Sequence, residues 1–186
     1  MQTKKKTNWF LIIGASLAGL CAVGCLAVGA LALLFPSIYQ TYVGNSSLAV
    51  GDPAPDFELT ALTGETVRLS QFRGQPVLLT FSASWCPDCR VEAPLLEDVH
   101  KAHPELVVLL VDLKESPDAV QTFVDDFGMT HPVLLDRDGS VTEQYQVFAI
   151  PTELFIDEDG IIQAKIIESV TPELLATYLP LIGIQP

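Results

Sequence analysis

From Trp9 to Phe35 the chain runs for 27 residues without a charged side chain. A helix rises about 1.5 Å per residue and needs only ~20 apolar residues to cross a bilayer's hydrocarbon core, so this run is long enough to span with some tilt. The pattern then changes. Residues 36–50, including Tyr42-Val43-Gly44-Asn45-Ser46-Ser47, are polar and small with no sustained period, and they read as a linker. Asp56–Leu69 alternates about Thr63-Gly64 as a β-hairpin does, and Ser70–Gly74 has the form of one helical turn closed by glycine. Pro76–Phe81 and Leu106–Val111 are continuous apolar runs of the kind that form buried central strands. Between them, Val91, Leu95, Leu96 and Val99 recur at helical spacing, predicting a helix from about Cys86 to Ala102, kinked at Pro94.

Downstream, Ser116-Pro117 supplies an N-cap and a favourable first helical residue, and Gly128 ends that helix after Phe127. Val133–Leu135, Glu153–Asp157 and Ile161–Ile167 are predicted strands, the last two joined through Asp157-Glu158-Asp159-Gly160. Thr171-Pro172-Glu173 opens a final helix. The predicted order after the hairpin is β-α-β-α-β-β-α, an α/β fold in which helices flank a central mixed sheet. About 135 residues from Gly51 onward suffice for one domain with a proper core. The expected organisation is therefore a tail over 1–8, a membrane anchor over 9–35, a linker over 36–50 and one domain over 51–186.

Charge adds orientation and excludes a class of partner. Lys4, Lys5 and Lys6 precede the apolar run and no Lys or Arg follows it until Arg68, which by the positive-inside rule puts the N-terminus in the cytoplasm and the domain outside, on a single-pass anchor. A cleaved signal peptide is the alternative, since Ala30-Leu31-Ala32 resembles a cleavage site, although the run exceeds the 7–15 residues usual for a signal core. Cys25 after Gly24 also raises lipoprotein processing, against which Cys21 and Ala22 are poor flanking residues. Without the three N-terminal lysines, seven basic residues face 23 acidic ones, a formal charge near −16. Phosphate backbones would be repelled, which excludes nucleic acid as a partner. The acidity is expected to lie on a solvated surface, and His100, His103 and His131 likewise read as surface residues.

The chemistry concentrates in Ser84-Trp85-Cys86-Pro87-Asp88-Cys89. Two residues between cysteines on the first turn of a helix hold the sulfurs within bonding distance. Cys86, at the helix N-terminus, meets free backbone N–H groups and the positive end of the dipole, conditions that lower thiol pKa values in such motifs to ~3.5–7.5. Cys89, one turn in, is expected to be shielded. Cys86 would then attack a substrate disulfide and Cys89 would resolve the mixed disulfide. Asp88 puts negative charge between the cysteines, which is expected to raise the pKa of Cys86 and shift the couple towards reducing behaviour. A structural disulfide and half a zinc site are the competing accounts. The closed loop is too short to constrain the unfolded chain much, and the three histidines lack paired-ligand spacing with the cysteines. No metal is expected, and no cofactor beyond the redox-active disulfide. Cys21 and Cys25, four apart in the apolar run, read as small packing residues.

Gly51-Asp52-Pro53-Ala54-Pro55-Asp56-Phe57, the strand ending Phe81-Ser82-Ala83-Ser84-Trp85, the Cys86–Cys89 motif with Glu92 and Pro94, and Ile150-Pro151-Thr152 together resemble the membrane-anchored TlpA/ResA type of thioredoxin-like thiol:disulfide oxidoreductase, within the AhpC/TSA-redoxin superfamily. The resemblance covers roughly Val50 to Ile167. It implies a thioredoxin-like fold with an N-terminal β-hairpin extension, a cis peptide before Pro151 lying against the sulfurs, and pairing of the Ile150 backbone with substrate. Proline next to the thiols also fits on physical grounds, because cis X–Pro bonds mark constrained turns. Glu92 is similar to a carboxylate that this branch keeps beneath the site, and it becomes the candidate proton acceptor for Cys89, with burial raising its pKa. Thioredoxin itself uses an Asp in the preceding strand, where this chain has Thr80. Pro87 and Asp88 tune the motif, Trp85 is expected to pack beside the disulfide at the substrate-binding face, and Ser82 replaces an aromatic common in the family.

The resemblance further implies protein disulfides outside the cytoplasm as substrates, a CcdA/DsbD-like membrane protein as electron donor, and a role such as keeping apocytochrome c reduced. A disulfide-forming oxidase of the same fold is the alternative direction, since spacing alone does not set it. A peroxiredoxin would need proline at 79 and Thr or Ser at 83, where Leu79 and Ala83 stand. A thioredoxin-like copper chaperone would use cysteines three residues apart together with a histidine.

Overall fold

The computed structural model describes residues 48–185. The expected tail, membrane anchor and most of the linker, with Cys21 and Cys25, lie outside the described residues; among those described, no helix is long and apolar enough to cross a membrane. The folded unit begins at Leu48, which packs against the core, while Ala49 N donates to Asp52 Oδ2 at 2.8 Å.

Seven strands form one mixed sheet: β1 (Glu58–Ala61), β2 (Thr66–Arg68), β3 (Val77–Ser82), β4 (Val107–Leu113), β5 (Val133–Asp136), β6 (Thr152–Ile156) and β7 (Ile162–Ile166), in the spatial order β2-β1-β5-β4-β3-β6-β7. The neighbours β3, β4 and β5 run parallel, so they need crossover helices: α1 (Pro87–Ala102) joins β3 to β4 and α2 (Pro117–Phe127) joins β4 to β5. The other pairings are antiparallel. The hairpin β1–β2 is part of the main sheet, because β1 also pairs with β5.

Capping follows the predicted chemistry. Ser116 Oγ accepts from Ala119 N, Thr171 Oγ1 accepts from Leu174 N at the start of α4 (Pro172–Tyr178), and Gly128 closes α2 at φ +60°, where a Cβ would be strained. A further short helix, α3 (Ser140–Gln144), was not foreseen; Asp136 holds its first turn by accepting from Val141 N, Thr142 N and the Thr142 hydroxyl.

Strand alternation divides the core. Val77, Leu79 and Phe81 of β3 face a cluster with Phe57, Leu69 and Tyr145. Leu78 faces the other side with Leu96 and Val99 of α1 and Phe155 of β6, and there Leu110 meets Ala93 of α1 and Phe123 of α2. Register puts Thr80 opposite both Leu110 and Glu153, which brings these two polar side chains onto the α1 face. Two expectations about polar residues are corrected here. His131 is buried, not superficial: it packs edge-on to His100 with ring centroids 5.9 Å apart, and burial pushes its pKa down to about 4. Nor is the acidity wholly a surface property, because Glu92, Glu97, Asp112, Asp136 and Glu153 are all buried.

Candidate active site

The site forms where β3 ends and α1 begins. Cys86 is the N-cap of α1 in an extended conformation, and its Sγ accepts from Cys89 N at 3.2 Å, as a capping side chain does. Pro87 is the first helical residue, where its missing N–H costs nothing. Cys86 and Cys89 are joined by a disulfide, with Cα atoms 5.3 Å apart. The cysteines pack with Ala83, Leu113 and Ile150, leaving Cys86 only 4% exposed and Cys89 1%. Opposite them the Ile150–Pro151 peptide is cis, and the Ile150 carbonyl oxygen lies 3.8 Å from Cys86 Sγ. Residues 64 positions apart in sequence thus meet at one sulfur. Asp88 is exposed, and its carbonyl accepts from Ser169 Oγ at 3.2 Å.

The loop before the cysteines is tied down from three directions. Ser84 donates from its N and Oγ to Glu115 at 2.5 and 2.6 Å, and its carbonyl accepts from Arg90 Nη1 at 3.3 Å. Arg90 also pairs with Asp126 at 3.0 Å and lies over the rings of Phe123 and Phe127, so one side chain links loop, α1 and α2. Beneath Glu115, Asp112 is buried with neither carboxylate oxygen hydrogen-bonded; burial, reinforced by Glu115, pushes its pKa up to about 8. This acidic group behind the loop was not anticipated.

Trp85 does not pack down beside the disulfide as expected. It stands 65% exposed, and with Phe148, 90% exposed, it borders a cleft of about 390 Å³ whose walls are Leu113, Val147, Ala149 and Ile150. Leu113 and Ile150 of this apolar cleft also pack against the cysteines, so it can hold a substrate peptide segment near the disulfide. A larger groove of about 470 Å³ between the hairpin and α2 shares no residue with this one.

Glu92 is 1% exposed, one turn beyond Cys89 on the same face of α1. Its Oε2 accepts from Val170 N at 3.0 Å, while Oε1 meets no donor among the described residues unless Glu153 carries a proton. Burial, with a contribution from Asp88, pushes its pKa up to about 7 against the opposing hydrogen bonds from Val170 and Glu153. Glu153, which the sequence pattern marks only as a strand residue, is fully buried, accepts from the Thr80 hydroxyl and lies within hydrogen-bonding reach of Glu92. Thr80 of β3 therefore contributes a hydroxyl and β6 the carboxyl. Among the described residues, no group of three or more His, Cys, Asp or Glu is placed to hold a metal ion.

The AhpC/TSA family matches residues 50–165, from the linker's end to β7, and so includes both cysteines and the cis-proline turn. The chain belongs to the AhpC/TSA family. This AhpC/TSA protein is 34% identical over 152 residues to the thiol-disulfide oxidoreductase ResA of Geobacillus kaustophilus, covering 80% of this chain and 87% of the relative. It is 37% identical over 132 residues to the thioredoxin-like protein YneN of Bacillus subtilis, covering 68% and 77%. Among solved structures, it matches a secreted Mycobacterium tuberculosis disulfide oxidoreductase homologous to Escherichia coli DsbE at TM-score 0.63 and 27% identity, over 67% of this chain and 94% of that one. The AhpC/TSA domain is thus a thioredoxin-like thiol:disulfide oxidoreductase, with a Cys86–Cys89 pair able to exchange disulfides.

Proposed function

We propose that this enzyme reduces disulfides in exported proteins, working outside the cytoplasm from an N-terminal anchor over residues 9–35 with its N-terminus in the cytoplasm. The single observation that carries the direction is the Glu92 carboxyl, buried one turn below Cys89 with one oxygen, Oε1, not taken up by the Val170 amide. A reductant must deprotonate its buried second thiol to close its own disulfide, and the site provides the acceptor. Cys86 thiolate attacks one sulfur of the substrate disulfide; that bond breaks, one substrate thiolate leaves, and a mixed disulfide forms. Glu92 takes the proton of Cys89, and the Cys89 thiolate attacks Cys86 Sγ, expelling the second substrate thiolate. The substrate gains two electrons and Cys86–Cys89 is left oxidised. Trp85 and the Ile150–Pro151 turn hold the substrate segment, while Pro87 and Asp88 tune the motif.

The asymmetry of Lys4, Lys5 and Lys6 about the apolar run supports the location. Re-reduction requires a dithiol donor on the same side of the membrane, for which a CcdA/DsbD-like carrier is the proposed source, and apocytochrome c is a client class consistent with it. The test is client trapping. Full-length protein with Cys89→Ser should accumulate dithiothreitol-sensitive mixed disulfides with exported proteins, and the Cys86→Ser, Cys89→Ser double variant should accumulate none. Equal capture by both variants, or capture of cytoplasmic proteins alone, contradicts the proposal.

A further inference from the structure

Two buried carboxyls meet under the cysteines, and their geometry leaves one oxygen of each unexplained. Glu92 reaches down from α1 and Glu153 reaches up from β6, both on the sheet face that carries Thr80. Glu92 Oε2 is occupied by Val170 N, and Glu153 Oε2 by the Thr80 hydroxyl. The remaining oxygens, Glu92 Oε1 and Glu153 Oε1, are fully buried and have no donor among the described residues. Two ionised carboxylates cannot satisfy one another, because both only accept. One proton placed between them supplies a donor to one oxygen and an acceptor to the other.

We propose that Glu153 and Glu92 are a carboxyl pair sharing one proton, with Glu153 the positioning residue that aims Glu92 and fixes when it is free to act as a base. The consequence for Cys89 rests on the role given to Glu92 under the proposed function; the pairing itself does not. Like charges at hydrogen-bonding distance in a water-excluded site do not both ionise, so one proton remains after the first is lost. Glu153 keeps it, since burial and the neighbouring Glu92 both push its pKa well up. Its proton then donates to Glu92, the partner that titrates near neutrality. Among the described residues, no basic group acts on either carboxyl. From α1 comes Asp88, which is acidic; from β3 the neutral Thr80; from the segment before α4 the Val170 amide. Lys165 of β7 pairs with Leu154, on the opposite face from Glu153, and its Nζ is bonded to the carbonyls of Tyr145 and Gln146.

The pairing is tested by following the glutamate side-chain carboxyl carbons by 13C NMR across pH in the oxidised full-length protein, with Glu92→Gln and Glu153→Gln assigning the two signals. Both substitutions keep the volume and replace the carboxyl O–H by an amide N–H donor, and each reports on the surviving partner, so failure of one variant to fold leaves the other readable. In the wild type each carbon should respond to both protonation steps, one of them near pH 7. In Glu92→Gln the Glu153 midpoint should fall by about one pH unit or more, because the neighbouring charge is gone. Two independent single-step curves, each indifferent to removal of the other residue, would overturn the pairing. Coupled curves combined with a disulfide-exchange pH profile unchanged by Glu92→Gln would uphold the pairing and remove instead the role of Glu92 as base for Cys89.

Discussion

Substituting Glu92 by Gln should make the protein more stable and less competent in the same pH range. Glu92 sits 1% exposed, and its carboxyl is raised from 4.5 to about 7, chiefly by burial. The folded state therefore holds this proton more tightly than the unfolded chain does. Such a group takes stability away as pH rises from the unfolded value to the folded one, after which its effect is constant. At about 1.4 kcal/mol per pH unit, the loss accumulated by pH 7 is about 3 kcal/mol, an upper figure because Glu153 shares the titration. Gln retains an oxygen for the Val170 amide and has no proton to lose. Denaturant unfolding of oxidised wild type and Glu92→Gln should give similar stabilities near pH 4.5 and a gap that opens to about 2–3 kcal/mol in favour of the variant by pH 7. Stopped-flow closure of a Cys86 mixed disulfide should show the converse, with a wild-type acceleration near neutrality that the variant lacks. Parallel stability curves across this range would refute the reasoning, since they would mean that Glu92 ionises in the folded protein as it does in water.

The other predictions concern the loop and the cleft. Asp112 is raised to about 8 by burial and by Glu115, so it too lowers stability as pH rises from about 4 to about 8; Asp112→Asn should be as stable as wild type at pH 4 and more stable by a few kcal/mol at pH 8.5, and equal pH slopes in denaturant melts would contradict this. Phe148 is 90% exposed at the cleft rim, so Phe148→Ala should leave Tm unchanged. If a substrate segment covers this ring, losing ~1–2 kcal/mol of apolar contact should raise KM for a disulfide-bonded protein roughly 5–30-fold with kcat held, and an unchanged KM would exclude the rim from binding.

What the sequence made legible divides along physical lines. The Cys86 cap, the helix to Ala102 and the Ser116 and Thr171 caps were readable because each depends on local chemistry, a capping atom or a helical period, whereas the cis Ile150–Pro151 turn followed from the family resemblance. Glu153 was not, because its role depends on the strand register that places it opposite Thr80 and under Glu92, residues far away in the chain. A signal was present nonetheless: a single carboxylate within the otherwise buried run Thr152–Ile156, where strand β6 is covered on both faces. His131 and Asp112 were misjudged or missed for a related reason. Polarity suggested surface, whereas the first packs against His100 and the second lies beneath Glu115. Trp85 followed the opposite course, since hydrophobicity suggested packing and the end of β3 turns it outward beside Phe148. Helix α3 escaped because five residues are too few for a period and its start is held by Asp136 from outside the helix.

The most direct test of the account is the reduction potential of the Cys86–Cys89 couple in the full-length protein, equilibrated with dithiothreitol or glutathione buffers and read by thiol alkylation. A reductase with an acid between its cysteines is predicted to lie near thioredoxin's ~−270 mV or lower; a value near the ~−120 mV of DsbA would contradict the account and make the enzyme a disulfide-forming oxidase.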